Sequence, residues 1–375
     1  MGRLRAESGK RRTADARDPR AWALPARIRR GAMAARQLVA DSSMRISDLG
    51  GETALIKLIS DKYGAAGAGE LALGIGDDAA LIRAGDSLLV VTADLLIEGT
   101  HFRMDINAPY LLGYKSAAVN ISDIAAMGGT PTYSFISIGL PDIEVGIVEA
   151  IYEGMHDVSA KYGSVIAGGD TVASGAGIVI NVTQLGTVEP GLVARRDGAK
   201  PGDAIMVTNT IGDSRAGLEL LLRFGLGEAK RASEACVLRH LKPEPRVSEG
   251  RAAVVTGRIR SMMDLSDGLA ADLRKLCEAS RVGARVIADA LPISEDLYIA
   301  ASRLDADPVK LAAGGGEDYE LLLTCDPKDA PAIAKAISST GSTARVIGEI
   351  VEGDSVTLAL ASDEEEPIGG SWEHF

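Results

Sequence analysis

Carboxylates beside glycine recur along this chain. DLSDG stands at 264–268, GIGDDAA at 74–80, SDIAAMGG at 122–129, AGGD at 167–170 and GGGED at 314–318. Taken singly, each has a structural account. Asp267 suits the N-cap of a helix starting at Gly268, because aspartate accepts from free N–H groups there. Asp77 and Asp78 suit a turn, Asp94 a solvated strand end, and Asp170 a self-stabilised loop. Together they suggest something else. Hard cations take oxygen ligands, and magnesium is usually held by a few carboxylates plus substrate phosphates and water. Glycine lets a phosphate approach the backbone closely. The set therefore points to Mg²⁺-assisted phosphate chemistry in a cleft drawn from both halves of the chain.

The elements that must position these acids alternate between helix and strand. Helices are predicted at 52–63, 110–127, 144–162, 214–224, 247–256, 269–280 and 329–339. Strands are predicted at 88–93, 133–140, 165–168, 177–188, 204–208, 260–264, 284–288 and near 345–350 and 355–360. EPG at 189–191 reads as a turn and a domain boundary. The mixed spacing favours α+β layers over a doubly wound sheet. On helix 110–127, Lys115, Val119 and Asp123 share one face at i, i+4 and i+8. Asp123 then points from the last turn into the cleft. Lys115 sits about 12 Å back along the axis, which reads as a helix-face or phosphate-steering charge outside the site.

Composition narrows the function classes. With 375 residues, two domains are expected, and 46% hydrophobic residues suffice for sizeable cores. No apolar run approaches the roughly 20 residues that span a bilayer. Cys236, Cys277 and Cys325 are scattered, with neither metal nor disulfide spacing, which suits a reducing cytoplasm. Residues 1–43 hold 11 Lys and Arg against 4 Asp and Glu, so the rest holds 29 against 48. An acidic body of this kind disfavours nucleic acid as a partner. The 1–43 stretch reads as a disordered basic extension rather than a transit peptide, because Asp15 and Asp18 interrupt it. P-loop, dinucleotide-binding, protein-kinase and serine-hydrolase signatures are absent.

GIGDDAAL, the TAD ending at Asp94 with EGTHF at 98–102, NISDIAAMGGTP at 120–131 and AGGDT at 167–171 follow one another in order. GAKPGD at 198–203, DLSDGLAADL at 264–273, GGGEDYEL at 314–321 and a terminal SWEHF complete the series. From about Met44 to Phe375 the chain resembles the thiamine-monophosphate kinase family. That family belongs to the aminoimidazole ribonucleotide synthetase-like superfamily.

The resemblance implies a two-domain α+β / α/β fold, with an N-terminal dimerising domain at 44–190 and a C-terminal α/β domain at 191–375. It implies ATP-dependent phosphorylation of thiamine monophosphate with Mg²⁺ in a cytoplasmic homodimer. Asp78, Thr92, Asp94, Asp123, Asp170, Asp264 and Asp267 match its metal-site residues. Ala93 stands where a threonine is common and would offer only a backbone carbonyl. Tyr152, Gly169, Asp170, Arg196 and Ser266 match ATP contacts. His101, Glu317 and Trp372 match substrate contacts. From the residues alone, His101 also suits a core histidine, Arg196 a surface arginine beside Arg195, and Trp372 a packed tail anchor.

No general base is expected. The acceptor is a phosphate monoester whose second pKa is about 6, so it is already mostly dianionic at neutral pH. Two other readings stay open at this level. One is an ATP-dependent ribonucleotide cyclo-ligase of the same superfamily. The other is a non-catalytic acidic protein that binds divalent cations.

Overall fold

The computed structural model describes residues 51–64, 69–360 and 364–369. The extension at 1–43 and Trp372 lie outside the described residues. Residues 51–55 fall in one unit and Ile56 onward in another. They are joined through helix α1 (Glu52–Tyr63), which carries Glu52 in its first turn and Lys62 in its last. Those charges complement the helix dipole. Among the described residues no helix is long and apolar enough to cross a membrane.

Six strands form the first sheet: β1 (Leu71–Leu73), β2 (Ala80–Ala84), β3 (Ser87–Ile97), β4 (Thr130–Leu140), β5 (Val165–Ala173) and β6 (Val179–Val188). Their order is β1-β2-β3-β6-β4-β5, and only the β4–β5 pair is parallel. Helices α2 (Pro109–Ala126) and α3 (Val145–Lys161) cover one face. Leu112, Ala117 and Ile121 of α2 and Ile151 and Met155 of α3 pack on Ile136, Ile138, Ile180 and Val182. The two helices cross at glycines. A Cβ on Gly113 would fall 1.8 Å from the Ile151 carbonyl oxygen, and one on Gly154 would fall 1.9 Å from that of Tyr110. The other face of the sheet is open. In register, Tyr133, Phe135 and Leu95 share that face and are 53%, 41% and 49% exposed.

After the 3₁₀ turn Pro190–Leu192 comes a seven-stranded sheet. Its strands are β7 (Ala204–Thr208), β8 (Ile259–Asp264), β9 (Gly283–Ile287), β10 (Leu321–Cys325), β11 (Ala344–Val351), β12 (Val356–Ala359) and β13 (Glu365–Pro367). The order is β13-β12-β9-β11-β7-β10-β8. Around it lie α4 (Asp213–Ala232), α5 (Glu234–Leu241), α6 (Val247–Val255), α7 (Leu269–Ser280), α8 (Glu295–Leu304), α9 (Pro308–Gly314) and α10 (Ala330–Ser338). β7 is buried on both faces. Ile205 and Val207 face the α7 side with Leu269 and Leu273, while Met206 faces Ile333 and Ile337 of α10. Both sheets are antiparallel apart from one parallel pair each, β4–β5 and β9–β12. That pattern matches α+β layering.

Several local expectations needed correction. The helix predicted at 214–224 continues to Ala232 across non-helical Gly225. β1, β2, β10, β13, α5, α8 and α9 were not read from the sequence. Asp267 does not cap α7, because Gly268 is the N-cap residue. Asp272, from the first turn, instead accepts from the N–H groups of Asp267 and Gly268 at 2.9 and 3.0 Å.

Candidate active site

Three acids converge from distant segments. Asp78 precedes β2, Asp123 sits in the last turn of α2, and Asp264 ends β8. One carboxylate oxygen from each lies within 4.8 Å of the others. Hydroxyls steer two of them. Thr92 donates to Asp123 Oδ2 at 2.5 Å, and Ser122 donates to Asp264 Oδ2 at 2.5 Å. The second bond crosses between the two sheets' layers, as does the ion pair of Arg196 with Asp78. Arg196 is therefore no surface arginine; that role belongs to Arg195, which pairs with Asp197.

Burial and mutual repulsion dominate the electrostatics. Asp123 is held well above the ordinary carboxylate range by burial and then by Asp94, Asp264 and Asp78. Asp264 is raised by burial and then by Asp78. Asp94 is pushed up to about 6 by burial and then by Asp267. Asp77, absent from the sequence-level set, is pushed up to about 7 by burial and by Asp78. Asp78 Oδ2 is buried with no hydrogen-bond partner among the described residues. A carboxylate oxygen buried without a donor is costly to the fold. Three close carboxylates and an orphaned oxygen fit a hard divalent cation.

Other candidate residues surround this core. The Asp94 N–H donates to Asn120 Oδ1 at 2.9 Å, which ties β3 to α2. Asp267 pairs with Lys275, which also binds Asp272 at 2.9 Å. Neither Lys275 nor Asp272 was expected from sequence, although their spacing from Asp267 along α7 is a usable signal. Ser266 lies in the same turn, and its carbonyl accepts from the Glu317 N–H at 2.7 Å.

Glu317 adopts a left-handed φ of 65°. Its carboxylate meets Lys115 Nζ at 2.8 Å and His240 Nδ1 at 3.0 Å. Lys115 is thus not a steering charge on an open helix face; it is 2% exposed and is the buried counter-ion of Glu317. Burial would raise the Glu317 carboxyl, but Lys115 and His240 outweigh it and hold it low. Burial and then Lys115 lower His240 below the ordinary imidazole range.

The structure does not bring every expected residue into the core cluster. Asp170 is exposed on edge strand β5, in register with Ser137 and, through it, Asn181 and Leu95. Those four residues line a shallow cavity of about 340 Å³ with Val172. Gly169 allows β5 to approach β4, since its Cβ would lie 1.7 Å from the Ile136 carbonyl oxygen. Tyr152, on α3, is half-buried and packs against the core of the first sheet. Ala93 is exposed and pairs with Thr183 across the sheet. His101 is half-buried, and its Nδ1 accepts from the Ile97 N–H at 3.0 Å, which stabilises the turn after β3.

Comparison with known proteins fits this geometry. Residues 76–188 match the family of AIR synthase related proteins, N-terminal domain, and residues 200–361 the corresponding C-terminal domain. The chain is 36% identical over 295 residues to a thiamine-monophosphate kinase of Bacillus subtilis, covering 78% of this chain and 89% of that protein. It is 36% identical over 308 residues to one from Escherichia coli K12, covering 82% and 92%. A solved structure described as AaThiL complexed with AMPPCP and TMP superposes with a TM-score of 0.77 at 34% identity, covering 89% of this chain and 99% of that one. A thiamine-monophosphate kinase from Stenotrophomonas maltophilia gives 0.68 at 34% identity, covering 81% and 94%. The chain belongs to the thiamine-monophosphate kinase family.

Proposed function

We propose that this chain transfers the γ-phosphoryl group of ATP to thiamine monophosphate, forming thiamine diphosphate in one direct in-line step. The observation that carries the reading is the Asp78–Asp123–Asp264 cluster, assembled from both halves and left with an orphaned buried oxygen. The name shared by the relatives supplies the substrate. Asp78, Asp123 and Asp264 would hold Mg²⁺, with Asp94, Asp267 and the Thr92 hydroxyl within the same electrostatic neighbourhood. A bound Mg²⁺ supplies charge screening between two polyanions that otherwise repel. Arg196 suits bidentate phosphate contact, because guanidinium geometry matches phosphate oxygens. Glu317 suits an N–H donor on the acceptor's heterocycle. Trp372 remains the expected stacking face for that ring. Asp170, Gly169, Tyr152 and Ser266 are assigned to ATP, and His101 to the acceptor, by the family pattern.

Nothing in this arrangement requires a nucleophilic carboxylate. The acceptor oxygen is already charged, so an aspartyl-phosphate would gain little. With a chiral γ-phosphorus, one in-line transfer inverts configuration, and inversion is the expected result. Retention, or a trapped labelled aspartate, would sink the direct mechanism. Asp267→Asn should lower turnover and raise the Mg²⁺ concentration needed for half-maximal rate, since an amide is a poorer hard-cation ligand. A coupled ADP-release assay with thiamine phosphate, thiamine and buffer alone tests the substrate assignment itself.

The open sheet face supports a homodimer. Leu95, Tyr133, Phe135 and Val172 are exposed side by side there, and such apolar patches mark interaction surfaces. A second copy on that face would also cover the cavity beside Asp170. Phe135→Glu should give a monomer by light scattering. A dimer of unchanged mass and affinity would remove this assignment.

A further inference from the structure

We infer that Lys115 and His240 are positioning residues for the thiamine phosphate acceptor, acting together on Glu317. The inference rests on the reading of Glu317 as an acceptor contact. It assigns a function to two buried groups that the phosphoryl-transfer scheme leaves unused.

Glu317 is gripped at both oxygens. Lys115 Nζ is 2.8 Å from Oε1, and His240 Nδ1 is 3.0 Å from Oε2. The two partners are nearly inaccessible, at 2% and 3% exposure, whereas the Glu317 side chain is 29% exposed. A carboxylate offers about four lone-pair positions. A nitrogen stands beside each oxygen, Lys115 Nζ as an ion pair without hydrogen-bond geometry, and the carboxylate keeps its accessible side. The backbone adds a third constraint, because the Glu317 N–H donates to the Ser266 carbonyl within the DLSDG turn. Left-handed φ at a non-glycine residue persists only where surroundings over-determine it. Ser214 Oγ also lies 3.2 Å from His240 Nδ1, beside the same ring nitrogen that faces Glu317.

The placement links the acceptor contact to the acid cluster. Lys115 lies on α2 with Asp123, two turns away on the same face. His240 lies at the end of α5, in the other half of the chain. Glu317 is therefore registered against both halves at once. Lys115 also offsets its charge. Without that ammonium, Glu317 would stand as a poorly compensated anion where a dianionic acceptor must bind.

The test is a kinetic split in the full-length protein. His240→Leu removes one donor and should raise KM for thiamine monophosphate about tenfold, the size expected for a lost bond to a charged group. KM for ATP should stay within about twofold, because His240 touches no residue assigned to ATP. His240→Asn places an amide N–H near the former Nδ1 and should restore most of the acceptor affinity. Lys115→Met should show the same split. If it fails to fold, the His240 pair still decides. Equal rises in both KM values, or His240→Asn behaving like His240→Leu, would overturn the inference and leave only a structural role. Absence of thiamine phosphate turnover in the unaltered protein would instead overturn the substrate reading beneath it.

Discussion

Replacement of Asp123 by asparagine should lower kcat by roughly 10²–10³-fold, the scale of losing one preorganised electrostatic contact in an active site. It should also make the metal-free protein more stable. Asp123 stands among Asp78, Asp94 and Asp264 at the end of a buried helix, where like charges and desolvation work against the fold. An amide of the same shape removes one charge and still accepts from the Thr92 hydroxyl, now bonded at 2.5 Å. Relief of even 1 kcal/mol raises the melting temperature by about 2–4 °C. Mg²⁺ should stabilise the unaltered protein more than the variant, because a ligand that binds only the native state stabilises in proportion to its affinity. The measurement is thermal unfolding with and without Mg²⁺, alongside turnover. A variant that melts lower without metal, yet responds fully to Mg²⁺, would show that the cluster is not a repulsive cation site.

Gly154→Ala should be among the most disruptive single methyl additions on the site's supporting layer. The added carbon would lie 1.9 Å from the Tyr110 carbonyl oxygen, far inside contact distance and against backbone rather than a movable side chain. Helices α2 and α3 must separate to admit it. Overpacking typically costs about 1–3 kcal/mol and occasionally more; a clash this deep against backbone belongs at the upper end, a fall in melting temperature on the order of 10 °C. The functional loss should exceed what the unfolded fraction explains, because α2 carries Asp123 and Lys115. Gly227→Ala is the control. It lies in α4 with nothing within 4 Å of its Cβ, so the same methyl should be neutral or stabilising by about 0.5–1 kcal/mol. Equal melting temperatures for the two variants would mean that the α2–α3 crossing is loose enough to admit the methyl.

The sequence by itself named Asp78, Asp123 and Asp264 among its candidate metal-site residues, and much of the secondary structure. Asp78, Asp123 and Asp264 were legible because phosphate and hard-cation chemistry requires carboxylates at glycine-rich element ends, and that signal is local. Helices such as α2 and α7 were legible because their apolar residues repeat at helical spacing. Strand β10 was not, because a five-residue apolar run buried on both faces has no alternation to read.

Tertiary structure alone decided partners. Helical periodicity placed Lys115 and Asp123 on one face, but only the packing of the two halves set Glu317 and His240 opposite that lysine. The same packing made Arg196 the counter-ion of Asp78 rather than a surface charge. Sheet register separated Asp170 from the three clustered acids, although its motif resembles theirs. Local sequence encodes which groups are chemically capable. Which of them share a low-dielectric pocket depends on contacts between segments far apart in the chain, and no local spacing carries that information.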